Sequence, residues 1–219
     1  MIKIENLTKS YLHHKAGRKY VFKDLSFEIP SGQNVAIIGK NGAGKSTLMN
    51  LLAKVDSPDS GHIITEQSIS WPVGLSGGFQ GSLSARENVK FIARTQGFRG
   101  SSMLEKVKYV EEFAEIDDYF DLPVKTYSSG MRGRVAFGLS LAFDFDYYIV
   151  DEAMSVGDAH FKKKASDAFE AKVGKANIIL VTHGMTQVRT MCDLVIVLDK
   201  GKATIYDDVE EGIKIYQNL

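Results

Sequence analysis

With 219 residues, the chain is long enough for one large α/β domain with a substantial buried core. Lys+Arg and Asp+Glu both count 27, so the formal net charge is zero, which argues against a nucleic-acid binder, usually marked by a basic excess. The lone Cys192, expected as a small buried core residue, excludes an internal disulfide framework. No apolar run approaches the roughly 20 residues of a membrane-crossing helix, and Met1–Asn6 does not read as a signal peptide. A cytoplasmic location is therefore expected.

In chain order, Met1–Leu7 and Val21–Ile29 read as short β stretches, and Asn34–Ile38 as a buried strand. Gly39–Thr47 is Gly-rich, and Thr47–Lys54 reads as a helix that ends at the turn residues Ser57–Gly61. After a second Gly-rich loop, 74–81, the pattern turns helical from about residue 82 to about residue 143. Within it, Ser102 and Glu105 have the spacing of a capping box ahead of Val107, Val110 and Ala114. Strand signals return at Tyr147–Val150, Ile178–Val181 and Leu194–Leu198. The expected layout is a mainly parallel-sheet core (about 1–74 and 144–219) with an early antiparallel β subdomain and a helical insert (about 75–143). The run Phe161–Lys164 reads as a solvated helix face.

The segment Gly39-Lys40-Asn41-Gly42-Ala43-Gly44-Lys45-Ser46-Thr47 fits the phosphate-loop pattern G-x-x-x-x-G-K-[ST]. Placed between a strand and a helix, it aims backbone N–H groups and a positive dipole end at one point. Lys45 reaches β- and γ-phosphates in such a loop, and the Ser46 hydroxyl ligates Mg²⁺. Tyr147–Val150 ends in Asp151-Glu152, where a Mg²⁺-linked aspartate belongs in such folds and the following glutamate can polarise a water. Ile178–Val181 ends in Thr182-His183, which places an imidazole where it can contact a terminal phosphate. Tyr127-Ser128-Ser129-Gly130-Met131 opens another helix, with Ser128 or Ser129 as its cap, and so is a second anion site.

The order of phosphate loop, helical insert, signature turn, acidic strand end and histidine strand end resembles the ATP-binding subunit of an ABC transporter over essentially the whole chain. That resemblance implies ATP and Mg²⁺ as ligands and a homodimer that clamps two ATP molecules. It implies Lys45 and Ser46 on phosphate and Mg²⁺, Asp151 on the metal, Glu152 as catalytic base and His183 on the γ-phosphate. Ser128 and Gly130, with Ser129 between them, would reach the partner copy's ATP, and Asp158 matches the aspartate of the dimer-contact loop. The adenine-stacking aromatic is Tyr11, with Tyr20 as a second candidate. The loop glutamine is Gln80, or else no glutamine serves, because the usual spacing before Glu87-Asn88 falls on Leu75.

Tyr127–Met131 in place of L-S-G-G-Q, and Glu152–Asp158 in place of E-P-T-S-A-L-D, are similar to exporters of bacterial surface polysaccharides. The segment 70–83 is similar to the Gram-negative capsular branch. The implied partners are a multi-span permease and a larger envelope-spanning assembly at the cytoplasmic face of the inner membrane. An O-antigen or teichoic-acid exporter is the alternative, and a soluble ABC ATPase of DNA repair or translation a more remote one.

Overall fold

A computed structural model describes residues 1–13, 17–74, 78–151 and 158–219. The chain forms two compact units, one of Met1–Pro72, Phe145–Glu152 and Lys175–Leu219, the other of Val73–Asp144 and Ala153–Gly174.

In the first unit, β1 (Ile2–His13) pairs antiparallel with β2 (Gly17–Ile29) and with β4 (Ser60–Thr65) to make a three-stranded sheet. A five-stranded sheet has the order β5-β6-β3-β7-β8, formed by β3 (Val35–Gly39), β5 (Tyr147–Asp151), β6 (Asn177–Val181), β7 (Leu194–Asp199) and β8 (Lys202–Tyr206). Its first four strands are parallel and β8 is antiparallel. All five residues of β3 are buried, which is why it reads as an unbroken apolar run rather than an alternating one. Three bonds through Asn34 fix its entry: Asn34 N donates to Asp193 Oδ2 (2.7 Å), Asp193 N donates to the Asn34 carbonyl (2.8 Å), and Ile178 N donates to Asn34 Oδ1 (3.0 Å). Helix α1 (Lys45–Leu52) buries Leu48, Met49, Leu51 and Leu52 in the core that Ile37, Ile149, Ile179 and Ile196 share.

The strands β1 and β2 run well past their expected ends, because Lys9–His13 and Gly17–Tyr20 continue the ladder with few apolar residues to announce it. The strands β4 and β8 carry no expectation from the sequence; both are edge strands with partly exposed faces. Cys192 is buried, as expected, and burial pushes its thiol up to about 12. No helix among the described residues is long and apolar enough to cross a membrane.

The second unit holds α2 (Ala85–Thr95), α3 (Gly100–Ala114), α4 (Ser129–Leu141) and α5 (Ala159–Val173), with 3₁₀ turns at Asp117–Asp121 and Val124–Thr126. Its centre is aromatic. The Phe113 ring lies 6.0 Å from Phe137 and 5.5 Å from Phe161, the second pair edge-to-face. Phe161 thus draws α5 into this unit. Lys162 and Lys163 are exposed, but Lys164 donates to Glu115 (2.5 Å) and to the Phe113 carbonyl (3.1 Å), so the lysine run is not wholly a solvated face.

The Ser102–Glu105 capping box does not form. Helix α3 starts at Gly100, and the Ser102 hydroxyl lies inside it, donating to the Arg99 carbonyl at 2.8 Å. The capping box belongs to α2. Ser84 Oγ accepts from Glu87 N (3.2 Å), and Glu87 Oε2 accepts from Ser84 N (2.8 Å). Ser84→Ala is expected to cost about 1 kcal/mol and to lower the melting temperature by roughly 2–4 °C. Differential scanning fluorimetry checks this; an unchanged melting temperature would remove the box from the stability of this unit.

Candidate functional site

The phosphate loop leaves β3 at Gly39 and enters α1 at Lys45. A Cβ on Gly39 would sit 2.5 Å from the Leu198 carbonyl of β7, so glycine is what lets the two strands stay paired here. Gly42 and Gly44 take φ of +82° and +104°, backbone that L-residues adopt only under strain. A Cβ on Gly44 would also lie 2.6 Å from Phe22. Ala43 N donates to the Lys40 carbonyl (3.1 Å) and Leu48 N to the Gly44 carbonyl (2.8 Å), closing the turn into the helix. Because the N-cap is Gly44, no side chain caps α1, and its first turn holds no acidic residue. The positive end of the helix thus faces outward, suited to an anion. Lys45 Nζ is held over the loop by the carbonyls of Gly39 (2.7 Å) and Lys40 (3.2 Å).

A cleft of about 320 Å³ brings the loop residues Asn41, Gly42 and Gly44–Thr47 together with Asp151, Thr182 and His183. The register explains the convergence. Strand β6 pairs with both β3 and β5, and Asp151 lies opposite Val181, so all three strand ends reach one edge of the sheet. Buried Thr182 sets the histidine turn: its Oγ1 accepts from Gly184 N at 2.9 Å and donates to Gln187 Oε1 at 3.1 Å. His183 is exposed, and its Nδ1 lies 3.2 Å from the Tyr216 hydroxyl. Ser46 and Asp151 offer a hydroxyl and a carboxylate in one cleft, a hard-oxygen donor set that suits Mg²⁺ completed by phosphate and water. Glu152 lies outside the described residues.

Tyr11 and Tyr20 both line an adjoining cleft of about 540 Å³, together with Gly42, Ala43 and Thr47 of the loop and helix. Their fixings differ. The Tyr11 hydroxyl donates to Asp56 Oδ2 (2.8 Å), while buried Lys9 donates to Asp56 Oδ1 (2.7 Å) and the Ser57 carbonyl (2.7 Å), with its ammonium 4.9 Å from the Tyr11 ring centre. The Lys9 ammonium, and next the Tyr11 hydroxyl, hold Asp56 below the usual carboxylate range. Tyr20 has the Lys23 ammonium 4.3 Å from its ring centre.

The remaining expected site residues belong to the second unit. Ser128 caps α4, its Oγ accepting from Met131 N at 3.2 Å; Ser129 and Gly130 form the first helical residues, and both serines are exposed. Tyr127 is buried and anchors the turn. Its hydroxyl donates to the Tyr119 carbonyl (2.6 Å) and accepts from Ala85 N (3.3 Å). Asp158 caps α5 through Phe161 N (2.9 Å), and its other oxygen accepts from Arg134 Nη2 (2.7 Å). The Gln80 side chain is exposed, while buried Asn88 pins its backbone by accepting from Gln80 N (2.8 Å) and donating to the Gln80 carbonyl (3.2 Å). Leu75 lies outside the described residues. Sequence reasoning missed Asp56, Tyr216 and Arg134, each brought in from a distant part of the chain.

The family model described as ABC transporter matches residues 22–155, which span the phosphate loop, the signature turn and Asp151. The chain belongs to the ABC transporter family. Within that family it is 55% identical over 223 residues to the polysialic acid transport ATP-binding protein KpsT of Escherichia coli, covering 100% of this chain and 99% of the relative. It is 41% identical to the capsule polysaccharide export ATP-binding protein CtrD of Neisseria meningitidis serogroup B, covering 100% of both. The dimeric ATP-binding cassette MJ0796, solved in a post-hydrolysis state with ADP and phosphate, matches with a TM-score of 0.72 at 22% identity. That match covers 94% of this chain and 98% of the cassette. The fold is thus the ABC-type α/β nucleotide-binding fold, with a mainly parallel core, an antiparallel N-terminal sheet and helices.

Because Gly44 combines a positive φ with contact to Phe22, Gly44→Ala is expected to weaken ATP binding by more than about tenfold. Titration with a fluorescent ATP analogue measures this. Wild-type affinity in the variant would move the nucleotide away from this cleft.

Proposed function

We propose that this chain is the ATP-hydrolysing, energy-coupling subunit of an exporter that moves capsular polysaccharide across the bacterial inner membrane. The observation that carries the reading is likeness along the entire chain to ATP-binding proteins of polysialic acid transport and capsule polysaccharide export. A cleft lined by phosphate-loop residues together with Asp151 and His183 supports it.

In this reading the backbone of Gly39–Thr47 and the Lys45 ammonium cradle the β- and γ-phosphates. Ser46 and Asp151 are the protein donors to Mg²⁺. When bound, the metal supplies charge neutralisation on the phosphates. Glu152 takes the proton of the attacking water, and His183 donates to a γ-phosphate oxygen, so catalysis consists mainly of positioning and charge stabilisation. Adenine stacks on Tyr11, whose ring the Asp56–Lys9 network holds in place. In a homodimer, Ser128–Gly130 of one copy reach the ATP of the other, and Asp158 lies at the contact between copies.

ATP then closes the pair and hydrolysis opens it. The stroke passes to a multi-span permease, within a larger envelope-spanning assembly, from the cytoplasmic face of the inner membrane. Phe91, Leu104, Tyr119 and Leu122 are exposed on the helical unit and supply apolar surface for that contact.

Glu152→Gln is expected to retain ATP binding, stall turnover and accumulate an ATP-bound dimer on size-exclusion chromatography. Undiminished phosphate release would sink the assignment of Glu152. Affinity purification from mildly solubilised native membranes should recover a stoichiometric multi-span permease of the polysaccharide-exporter type. Recovery with nucleic acid or ribosomes instead would overturn the exporter reading and leave only the ATPase.

A further inference from the structure

We infer that Tyr216 is the positioning residue that sets the tautomer of His183, placing the imidazole proton on Nε2, where it can be donated to a terminal phosphate oxygen. The inference rests on the proposed role of His183 as the γ-phosphate donor. A neutral imidazole carries one proton, and the nitrogen that holds it is decided by the partner of the other nitrogen. Here that partner is the Tyr216 hydroxyl, 3.2 Å from Nδ1. A phenol that donates to the Nδ1 lone pair leaves the proton on Nε2. The opposite tautomer would turn the lone pair of Nε2 toward the phosphate cleft and repel an anionic oxygen.

The partner is held firmly enough to impose this choice. Tyr216 lies on α7 (Val209–Gln217), whose Val209, Gly212, Ile213 and Tyr216 share one face at helical spacing. Asp208 caps the helix by accepting from Glu210 N (2.8 Å) and Glu211 N (3.2 Å). Buried Gly212 lets α7 lie flat on β7; a Cβ there would come within 2.9 Å of Val195. The adjacent Ile213 is fully buried.

A second tie joins α7 to the histidine side of the contact. Arg189, on α6 (Met185–Met191) just beyond His183, donates to Glu210 at 2.6 Å. The end of α7 also meets the phosphate loop itself, where Lys40 Nζ donates to the Leu219 carbonyl. On this inference both the nitrogen assignment and the ring orientation of His183 are set from a helix whose sequence carries no nucleotide motif.

The test is Tyr216→Phe, which removes only the hydroxyl, compared with wild type and with His183→Ala. Long-range ¹H–¹⁵N correlation of ¹⁵N-histidine-labelled protein reads the tautomer, with the His183 signals identified by their loss in His183→Ala. Wild type is expected as the Nε2–H form and Tyr216→Phe as a mixture, with kcat for ATP lowered roughly three- to tenfold, the worth of one hydrogen bond, and KM little changed. An unchanged tautomer in Tyr216→Phe overturns the inference, whether or not kcat falls, because a fall alone reports packing. A shifted tautomer with wild-type kcat overturns it as well. If His183→Ala itself turns over ATP at the wild-type rate, it is the reading of His183 that fails.

Discussion

The end of β3 has no room for a side chain, and the site is built on that restriction. Gly39 lies against the Leu198 carbonyl, so the chain must leave the sheet at this point as bare backbone. The strand's entry is equally constrained, since Asn34 hydrogen-bonds to the starts of β6 and β7 at once. With both ends fixed and all five residues buried, β3 cannot slip in register without losing its core face. That rigidity carries into the chemistry. Asp151 and His183 meet the phosphate loop because β5 and β6 keep register with β3. A shift of one residue in either strand would move the carboxylate or the imidazole by about 3.3 Å, enough to take it out of the cleft that the loop lines.

The same physics decided which elements could be read in advance. The strands β3, β5, β6 and β7 are buried on both faces and appear as short continuous apolar runs, and the first three end at chemistry-bearing residues. The phosphate loop is local, so its pattern is complete within nine consecutive residues. What was hidden depended on long-range pairing or on small residues. The outer part of β2 is exposed, and that of β1 puts the polar Lys9 and Ser10 inside and Tyr11 and Leu12 outside; both are strands because each supplies the other's ladder. Helix α5 reads as a solvated face because of its lysines, which hide that Phe161, Ala165 and Phe169 fall on one buried face. Helix α7 presents Gly212 where a helix usually shows a larger apolar residue, and its place on β7 explains why. Ser102 misled because a serine three residues before a glutamate suggests a cap wherever it falls; only the start of α3 at Gly100 shows that the hydroxyl serves a carbonyl instead.

The two candidate adenine aromatics show where composition stops being informative. Tyr11 and Tyr20 are similarly exposed, and both line the cleft beside the loop. They differ in how much freedom their rings keep. A lysine lies over each ring, but Tyr11 is also tied by its hydroxyl to a carboxylate that a buried lysine neutralises. A ring already held loses little rotamer entropy on stacking. That difference, more than position in the sequence, favours Tyr11.

Asp158 illustrates how one carboxylate can serve two structures. Its Oδ1 caps α5 through Phe161 N, and its Oδ2 receives the Arg134 guanidinium. In the proposed homodimer, a contact with the second copy would use Oδ2 and leave the cap intact. The ion pair given up would be a partly exposed one, worth about 0–1 kcal/mol. Arg134 would not be stranded, because Glu115 lies 3.9 Å away and its guanidinium rests 4.7 Å from the centre of the Phe161 ring. The exchange is cheap on both sides. An aspartate at this position can thus hold the start of α5 in a single subunit and still turn one oxygen toward a second copy without loosening the helix it caps.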